Sequence, residues 1–349
     1  MKRFSILIAA LCLCLTGCGK QITEAAAQIF AMDTVMEVTA YGEHAEQAVK
    51  YTEKRIEELE NRLSRTKAHS LVSGLNRDGS IRHLTYDYWN LIARAKEYRD
   101  ATNGAFDITI APIMDAWGFT GDQFRVPEQS ELNELLKHVN SDEIQVQEEP
   151  SYSVTLGEGQ AIDLGGIAKG YTSDWVEQTF RANGIESGKI SLGGNVFVLG
   201  GKPDGSDWRV GIKDPRNESG LAAILSLRDA YAITSGGYER YFEENGKTYH
   251  HIIDPSTGYP ADSGLLSVTV VAADNGPDWA GAGNGAMCDA FSTALFVMGE
   301  EQALDFWRNG GYDFDLVLVT EDGRVVITAG LADRFEEVKD SGYTYETVS

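Results

Sequence analysis

The chain has 349 residues, with 53 acidic against 30 basic side chains, a formal charge of −23 at neutral pH and 42% hydrophobic residues. That balance excludes a disordered chain and a nucleic-acid binder working through a broad basic face. It leaves a globular protein with an ordinary core, in which any phosphate site needs a local source of positive charge.

Lys2 and Arg3, an apolar run to Leu15 and the triplet Thr16-Gly17-Cys18 have the layout of a secretory signal, too short for a permanent span. Leu15-Thr16-Gly17-Cys18 resembles a bacterial lipobox, which implies cleavage before Cys18 and a lipid on its thiol. An ordinary secretory signal cleaved elsewhere is the alternative. On the first reading, residues 1–17 are signal peptide, residues 18–28 are lipidated Cys18 and tether, and residues 29–349 form one body. That body faces the extracytoplasmic side of a bacterial cell membrane, held only by lipid. Cys12 and Cys14 leave with the signal, so Cys288 remains alone and no intramolecular disulfide forms.

Along the body, residues 30–41 have strand composition and residues 45–63 carry helical periodicity. Residues 84–102 predict a second helix, closed by Asn103-Gly104, and residues 128–139 a third. A hairpin is predicted from residues 151–156 and 160–164 around Gly157-Glu158-Gly159. A helix over 167–183 follows, then a strand over 189–200 broken at Gly193-Gly194. Short strands are expected at 208–212, 222–227, 230–234 and 265–273. A Gly-rich surface loop at 274–286 leads to helices at 288–298 and 301–307, then a strand pair at 314–320 and 325–328. The irregular alternation points to an α+β fold of mixed sheets with packed helices.

Four segments carry polar groups in settings that call for a chemical reason. In the apolar run 288–297, Asp289 and Thr293 are four apart and share a helix face. Buried oxygens of this kind suit a hard cation such as Mg²⁺ or Ca²⁺, although taken alone the pair reads as a helix cap with a back-bonded threonine. In Ile162-Asp163-Leu164-Gly165-Gly166-Ile167-Ala168-Lys169-Gly170 a glycine turn opens a helix, and Lys169 opposes the helix dipole, as an anion site would favour. A tight turn with a surface lysine accounts for it equally well. In Tyr249-His250-His251-Ile252-Ile253-Asp254-Pro255, adjacent histidines face opposite sides of a strand. They make a poor zinc pair, and leave either one proton acceptor or an ordinary strand histidine. Ser235 lacks the glycine pattern of a nucleophile elbow. Gly104-Ala105-Phe106-Asp107 sets a ring beside a carboxylate, which suits a flat heteroaromatic ligand or plain core packing.

These segments, together with Ala31-Met32-Asp33-Thr34 and Ser191-Leu192-Gly193-Gly194-Asn195, resemble in order and spacing the ApbE family of flavin transferases. The resemblance implies a single ApbE-like catalytic body related to the T-fold, binding FAD as substrate with Mg²⁺ at its diphosphate. It implies transfer of FMN to a Ser or Thr hydroxyl of an exported acceptor flavoprotein, with AMP leaving. Carried over by position, Asp289, Thr293, Ser292 and the Gly166 carbonyl would hold Mg²⁺. Met32, Ala105, Phe106, Asp107, Asp163, Lys169 and Ile253 would line the FAD site, and His251 would be the base. The chain departs from many relatives at Asp33, where they carry Gly, and within residues 63–67, where they carry an aromatic ring. The rival readings are an Mg²⁺-dependent FAD pyrophosphatase and a non-catalytic FAD-binding lipoprotein. Nucleic acid is not expected as a partner.

Overall fold

The computed structural model describes residues 22–121, 123–274, 276 and 283–349. The segment read as a signal peptide and Cys18 lie outside these residues.

The described chain opens with a hairpin, β1 (Glu24–Ala31) and β2 (Thr34–Tyr41), turning at Met32-Asp33 with both φ values positive, 49° and 59°. Such a turn matches strand twist and tolerates Asp among non-glycine residues. β1 begins inside the segment read as tether. Its alternating exposure and full register with β2 explain why an Ala-rich stretch is strand. α1 (Ala45–Leu63) follows, with the bounds its periodicity predicted.

Next come α2 (Leu71–Asp78), β3 (Ser80–Arg82), α3 (Tyr86–Ala101), α4 (Ala111–Trp117), α5 (Gln129–Leu135), β4 (Gln145–Gln147) and β5 (Ser153–Thr155). The hairpin expected across residues 151–164 does not form. β5 lies between β3 and β4, and residues 160–164 are not strand. The backbone of Ile162 bonds the Asn76 side chain in both directions, at 2.8 and 2.9 Å, and Asp163 N donates to Ile108 O at 2.7 Å. These bonds replace a ladder and deliver the chain to α6 (Ala168–Ala182).

The chain then lays down β6 (Ser187–Leu192), β7 (Asn195–Leu199), β8 (Trp208–Asp214), β9 (Asn217–Leu227) and β10 (Ala230–Gly236). A hairpin absent from the sequence reading, β11 (Tyr241–Glu244) and β12 (Lys247–His250), turns at Asn245-Gly246. β13 (Leu265–Ala273) precedes α7 (Asn284–Asn309), which is interrupted at Gly299 (φ 79°), so the two predicted helices are the two arms of one kinked element. α7 starts four residues before the predicted Cys288. The chain closes with β14 (Asp315–Thr320), β15 (Arg324–Thr328), β16 (Phe335–Glu337) and β17 (Thr344–Val348).

One nine-stranded sheet runs β1-β2-β6-β7-β10-β13-β14-β15-β17 and is antiparallel except at β15–β17. α1, α6 and α7 pack with the sheet in the main core, around Met36, Ile56, Phe180, Phe197, Phe291 and Leu318. The small sheet β16-β9-β8 supplies a second core with Val198, Val271 and Val319 of the large sheet. Strands covered on both faces, such as β10 and β14, therefore read as continuous apolar runs rather than alternation. A third cluster joins α4, α5 and residues 249–259 through Trp117, Phe119, Leu132 and Ile253. The observed fold is α+β, as the sequence predicted. Among the described residues no helix is long and apolar enough to cross a membrane.

Candidate active site

Two walls meet at the N-terminus of α6. The first is the α6–α7 pair. The Asp289 carboxylate is buried; its Oδ2 accepts from Gly170 N at 2.8 Å and its Oδ1 from Asn195 Nδ2 at 3.0 Å. Burial pushes its pKa up, and the charge of Lys169 pulls it back. One helical turn on, Thr293 Oγ1 and Ser235 Oγ lie 3.1 Å apart. Ser292 Oγ donates to Asp289 O at 2.9 Å and lies 2.8 Å from the same Ser235 hydroxyl. Gly166 closes this side. A Cβ there would lie 3.4 Å from Thr293 Oγ1 and 3.2 Å from the Phe106 ring, so backbone approaches the helix where a side chain would crowd it.

Asp289, Ser292, Thr293 and Gly166, predicted from distant stretches, are thus neighbours. Their side chains offer carboxylate and hydroxyl oxygens, the donor chemistry of a hard cation rather than of zinc. Among the described residues no group of three or more His, Cys, Asp or Glu forms a softer alternative. Asn195 Oδ1, on the amide that binds Asp289, is buried and finds no donor. A buried carboxylate and a spare buried acceptor side by side are what a cation would satisfy, so the residues fit Mg²⁺.

Lys169 Nζ sits 3.7 Å from Glu239 Oε2, and both side chains are mostly covered. Glu239, raised by burial and lowered by Lys169, is a carboxylate the sequence reading did not single out. Met32 reaches the same end of α6, with Thr172 Oγ1 3.8 Å from its sulfur, and Met32 N donates to Glu60 Oε1 at 2.9 Å.

The second wall is aromatic. Residues 250–260 leave β12 and fold over α4 and α5. Trp117 Nε1 donates to Gly258 O at 2.7 Å, and the Trp117 ring packs against Tyr249 and Tyr259, both at 5.3 Å. His251 stands at the edge of this cluster, 6.5 Å from Phe119, with Nδ1 3.1 Å from Arg240 O. A carbonyl only accepts, so Nδ1 carries the hydrogen and Nε2 keeps a free lone pair. Burial lowers the imidazole pKa to about 3, helped by the positive charge of Lys169. His250 instead bonds Ala261 O at 3.1 Å and packs on Phe296, so the two histidines do part company. Ile253 is buried in the aromatic cluster.

Asp107 and Asp163 are held in place by internal bonds. Asp107 accepts from Thr109 N at 2.8 Å, Thr109 Oγ1 at 2.6 Å, Ser141 N at 3.0 Å and the Ser141 hydroxyl. Asp163 accepts from Gly165 N at 2.8 Å and Arg65 Nη1 at 3.0 Å. Both carboxylates shape the walls: Asp107 behind Ala105-Phe106, Asp163 under the Gly165-Gly166 turn. Ser235, Asn195 and Glu239 join the site without having been predicted. Only Asn195 had a signal, as the last residue of the Ser191–Asn195 motif.

The ApbE family model matches residues 32–316 of this chain. An FAD:protein FMN transferase of Treponema pallidum is 31% identical over 307 residues, covering 83% of this chain and 82% of its own length. One of Klebsiella pneumoniae is 33% identical over 294 residues, covering 82% and 86%. Among solved structures, the apbe protein of Thermotoga maritima aligns with a TM-score of 0.78 at 30% identity, over 91% of this chain and 97% of its own. The apo flavinyl transferase ApbE of Pseudomonas stutzeri aligns with a TM-score of 0.73 at 26% identity, over 91% and 95%. A family model matching residues 32–316, with relatives above 30% identity over four fifths of the chain, makes the chain a member of the ApbE family.

Proposed function

We propose that this enzyme transfers FMN from FAD to a Ser or Thr hydroxyl of an exported acceptor protein, releasing AMP, with Mg²⁺ at the diphosphate. The observation that carries the reading is the meeting of Thr293 and Gly166 beside buried Asp289, at a helix N-terminus that also bears Lys169. On a surface of net charge −23, this is a place where a diphosphate would be tolerated.

In this reading Asp289, Thr293, Ser292 and the Gly166 carbonyl hold the cation, which when bound supplies charge neutralisation to the diphosphate. Met32, Ala105, Phe106, Asp107, Asp163, Lys169 and Ile253 line the FAD site. Lys169 exchanges Glu239 for a phosphate oxygen. The acceptor hydroxyl oxygen forms a bond to the FMN phosphorus, the bond from that phosphorus to the AMP oxygen breaks, and the hydroxyl proton passes to His251 Nε2. The low pKa of His251 keeps that lone pair available at neutral pH. Anionic ligand beside Lys169 would offset one cause of the depression and strengthen the base. We also assign the enzyme to the extracytoplasmic face of a bacterial membrane through lipid on Cys18, a reading supported by Leu15-Thr16-Gly17-Cys18 alone.

The test is mass spectrometry of a candidate acceptor after incubation with FAD and Mg²⁺. Phosphoester-linked FMN on a Ser or Thr, with AMP in equal amount, is the expected result. AMP and free FMN with an unmodified acceptor would replace the proposal with hydrolysis. Bound flavin without AMP would make the protein a carrier.

A further inference from the structure

α7 begins without a cap of its own. Its N-cap is Gly283, which has no side chain to accept from the first-turn amides, and α7 brings no acidic residue to that turn. The missing acceptor comes from α6. Asp174 Oδ1 accepts from Gly285 N at 2.8 Å, and Oδ2 accepts from Gly283 N and Ala286 N, both at 3.0 Å. The carboxylate is buried with the two helices in backbone contact beside it. A Cβ on Gly170 would overlap Gly285 O and come within 2.6 Å of Asp289 Cβ, and a Cβ on Gly285 would overlap Gly170 O.

Asp174, Gly170 and Gly285 therefore form one fastening between the helix that carries Gly166 at its entrance and the helix that carries Asp289 and Thr293. Asp289 and Thr293 follow Gly285 by four and eight residues, about 6 and 12 Å along the axis, within one straight arm before the break at Gly299. A shift at the first turn is carried through that arm to both side chains. The bond from Gly170 N to Asp289 Oδ2 lies between fastening and site, so the two cannot move independently.

We infer that Asp174 is a positioning residue for the cation site: by holding the first-turn amides of α7, it fixes where Asp289 and Thr293 stand relative to Gly166. It touches neither FAD nor cation. The inference rests on the Mg²⁺ reading above.

The experiment measures Mn²⁺ binding directly, by the electron paramagnetic resonance of the free ion, with FAD present. Four full-length chains are compared: wild type, Asp174→Asn, Gly285→Ala and Leu225→Ala. Asp174→Asn keeps the shape and puts an N–H donor against N–H donors. Gly285→Ala keeps the Asp174 carboxylate but crowds it, with the new Cβ 2.6 Å from Asp174 Oδ1, and pushes the helices apart at Gly170 O. Leu225→Ala opens the second core, away from both helices, and controls for lost stability.

Mn²⁺ affinity is expected to fall at least tenfold in Asp174→Asn and Gly285→Ala and to stay within twofold of wild type in Leu225→Ala. The concentration of Mg²⁺ giving half-maximal transfer is expected to rise in parallel, with the KM for FAD changing less. Wild-type Mn²⁺ affinity in a folded Asp174→Asn chain overturns the inference, as does an equal loss in Leu225→Ala. No Mn²⁺ binding by wild type would remove the cation reading itself. Should neither helix variant be recovered folded, amide exchange in the wild type decides: Mg²⁺ with FAD slows exchange at residues 283–286 if the fastening and the site are coupled, and leaves it unchanged if they are not.

Discussion

The two walls of the site solve different problems. The α6–α7 wall buries a carboxylate beside one buried and two half-buried hydroxyls and holds it with a backbone amide, an asparagine and a helix crossing too close for any side chain. The aromatic wall puts one imidazole against rings and fixes it by a single carbonyl. In the first, position matters most, because charge neutralisation falls off with small displacements. In the second, desolvation matters most, because it sets which protonation state the histidine presents. The polar wall therefore depends on many bonds spread over distant segments, and the aromatic wall on packing.

Removing the polar wall's central group should have the largest effect. Asp289→Ala is expected to abolish Mg²⁺-dependent transfer, a loss of roughly 10³-fold or more for a metal contribution of several kcal/mol. Transfer by that variant at the wild-type rate would end the assignment. Next comes the aromatic wall's reacting group. His251→Ala should slow transfer by about 10²–10⁴-fold, the usual contribution of a general base, while FAD binding followed by flavin fluorescence is retained. Loss of FAD binding instead would make His251 part of the architecture.

Trp117→Phe separates the walls. It removes the donor to Gly258 O inside the aromatic cluster and should cost about 1–3 kcal/mol of stability for an unsatisfied buried carbonyl. It is expected to lower kcat modestly with Mn²⁺ affinity unchanged. A Mn²⁺ affinity that fell with it would show the walls to be one unit.

The smallest effect is in pH. The pKa of His251 falls from 6.5 to about 3 on folding, so the unfolded chain takes up its proton first, and stability from this group is lost as pH drops below about 6.5. His250 is lowered in the same direction. Between about pH 7 and pH 5 the thermal midpoint of wild type should fall more steeply than that of His251→Gln. Parallel slopes would place His251 in a wetter setting than the packing indicates.

Several elements were legible because local pattern and tertiary packing agreed. α1, α6 and β13 carry their periodicity against a single core, and the α+β class followed from the irregular succession of elements. Other signals were present and pointed the right way, but went unused. Asn245-Gly246 is a strong two-residue hairpin turn, and Ser70, accepting from Ser73 N, marks the start of α2 as Gly79 marks its end. The expected strand at residues 160–164 failed for a different reason. Nothing local shows that Asn76, far earlier in the chain, takes both backbone groups of Ile162.

The sequence by itself determined the motifs, and with them the oxygen-rich character of Asp289, Ser292 and Thr293, the glycine turn before Lys169 and the histidine at 251. Short-range spacing fixes which faces such residues share within one helix or strand. Tertiary structure alone decided that Ser235 joins the hydroxyls, that Asn195 and Gly170 bind the Asp289 carboxylate, that Glu239 meets Lys169, and that Asp174 holds the start of α7. Each of those contacts joins segments far apart in the chain, brought together by the pairing order of the large sheet and by the crossing of α6 with α7. No periodicity encodes such a meeting; the packing of a common core creates it.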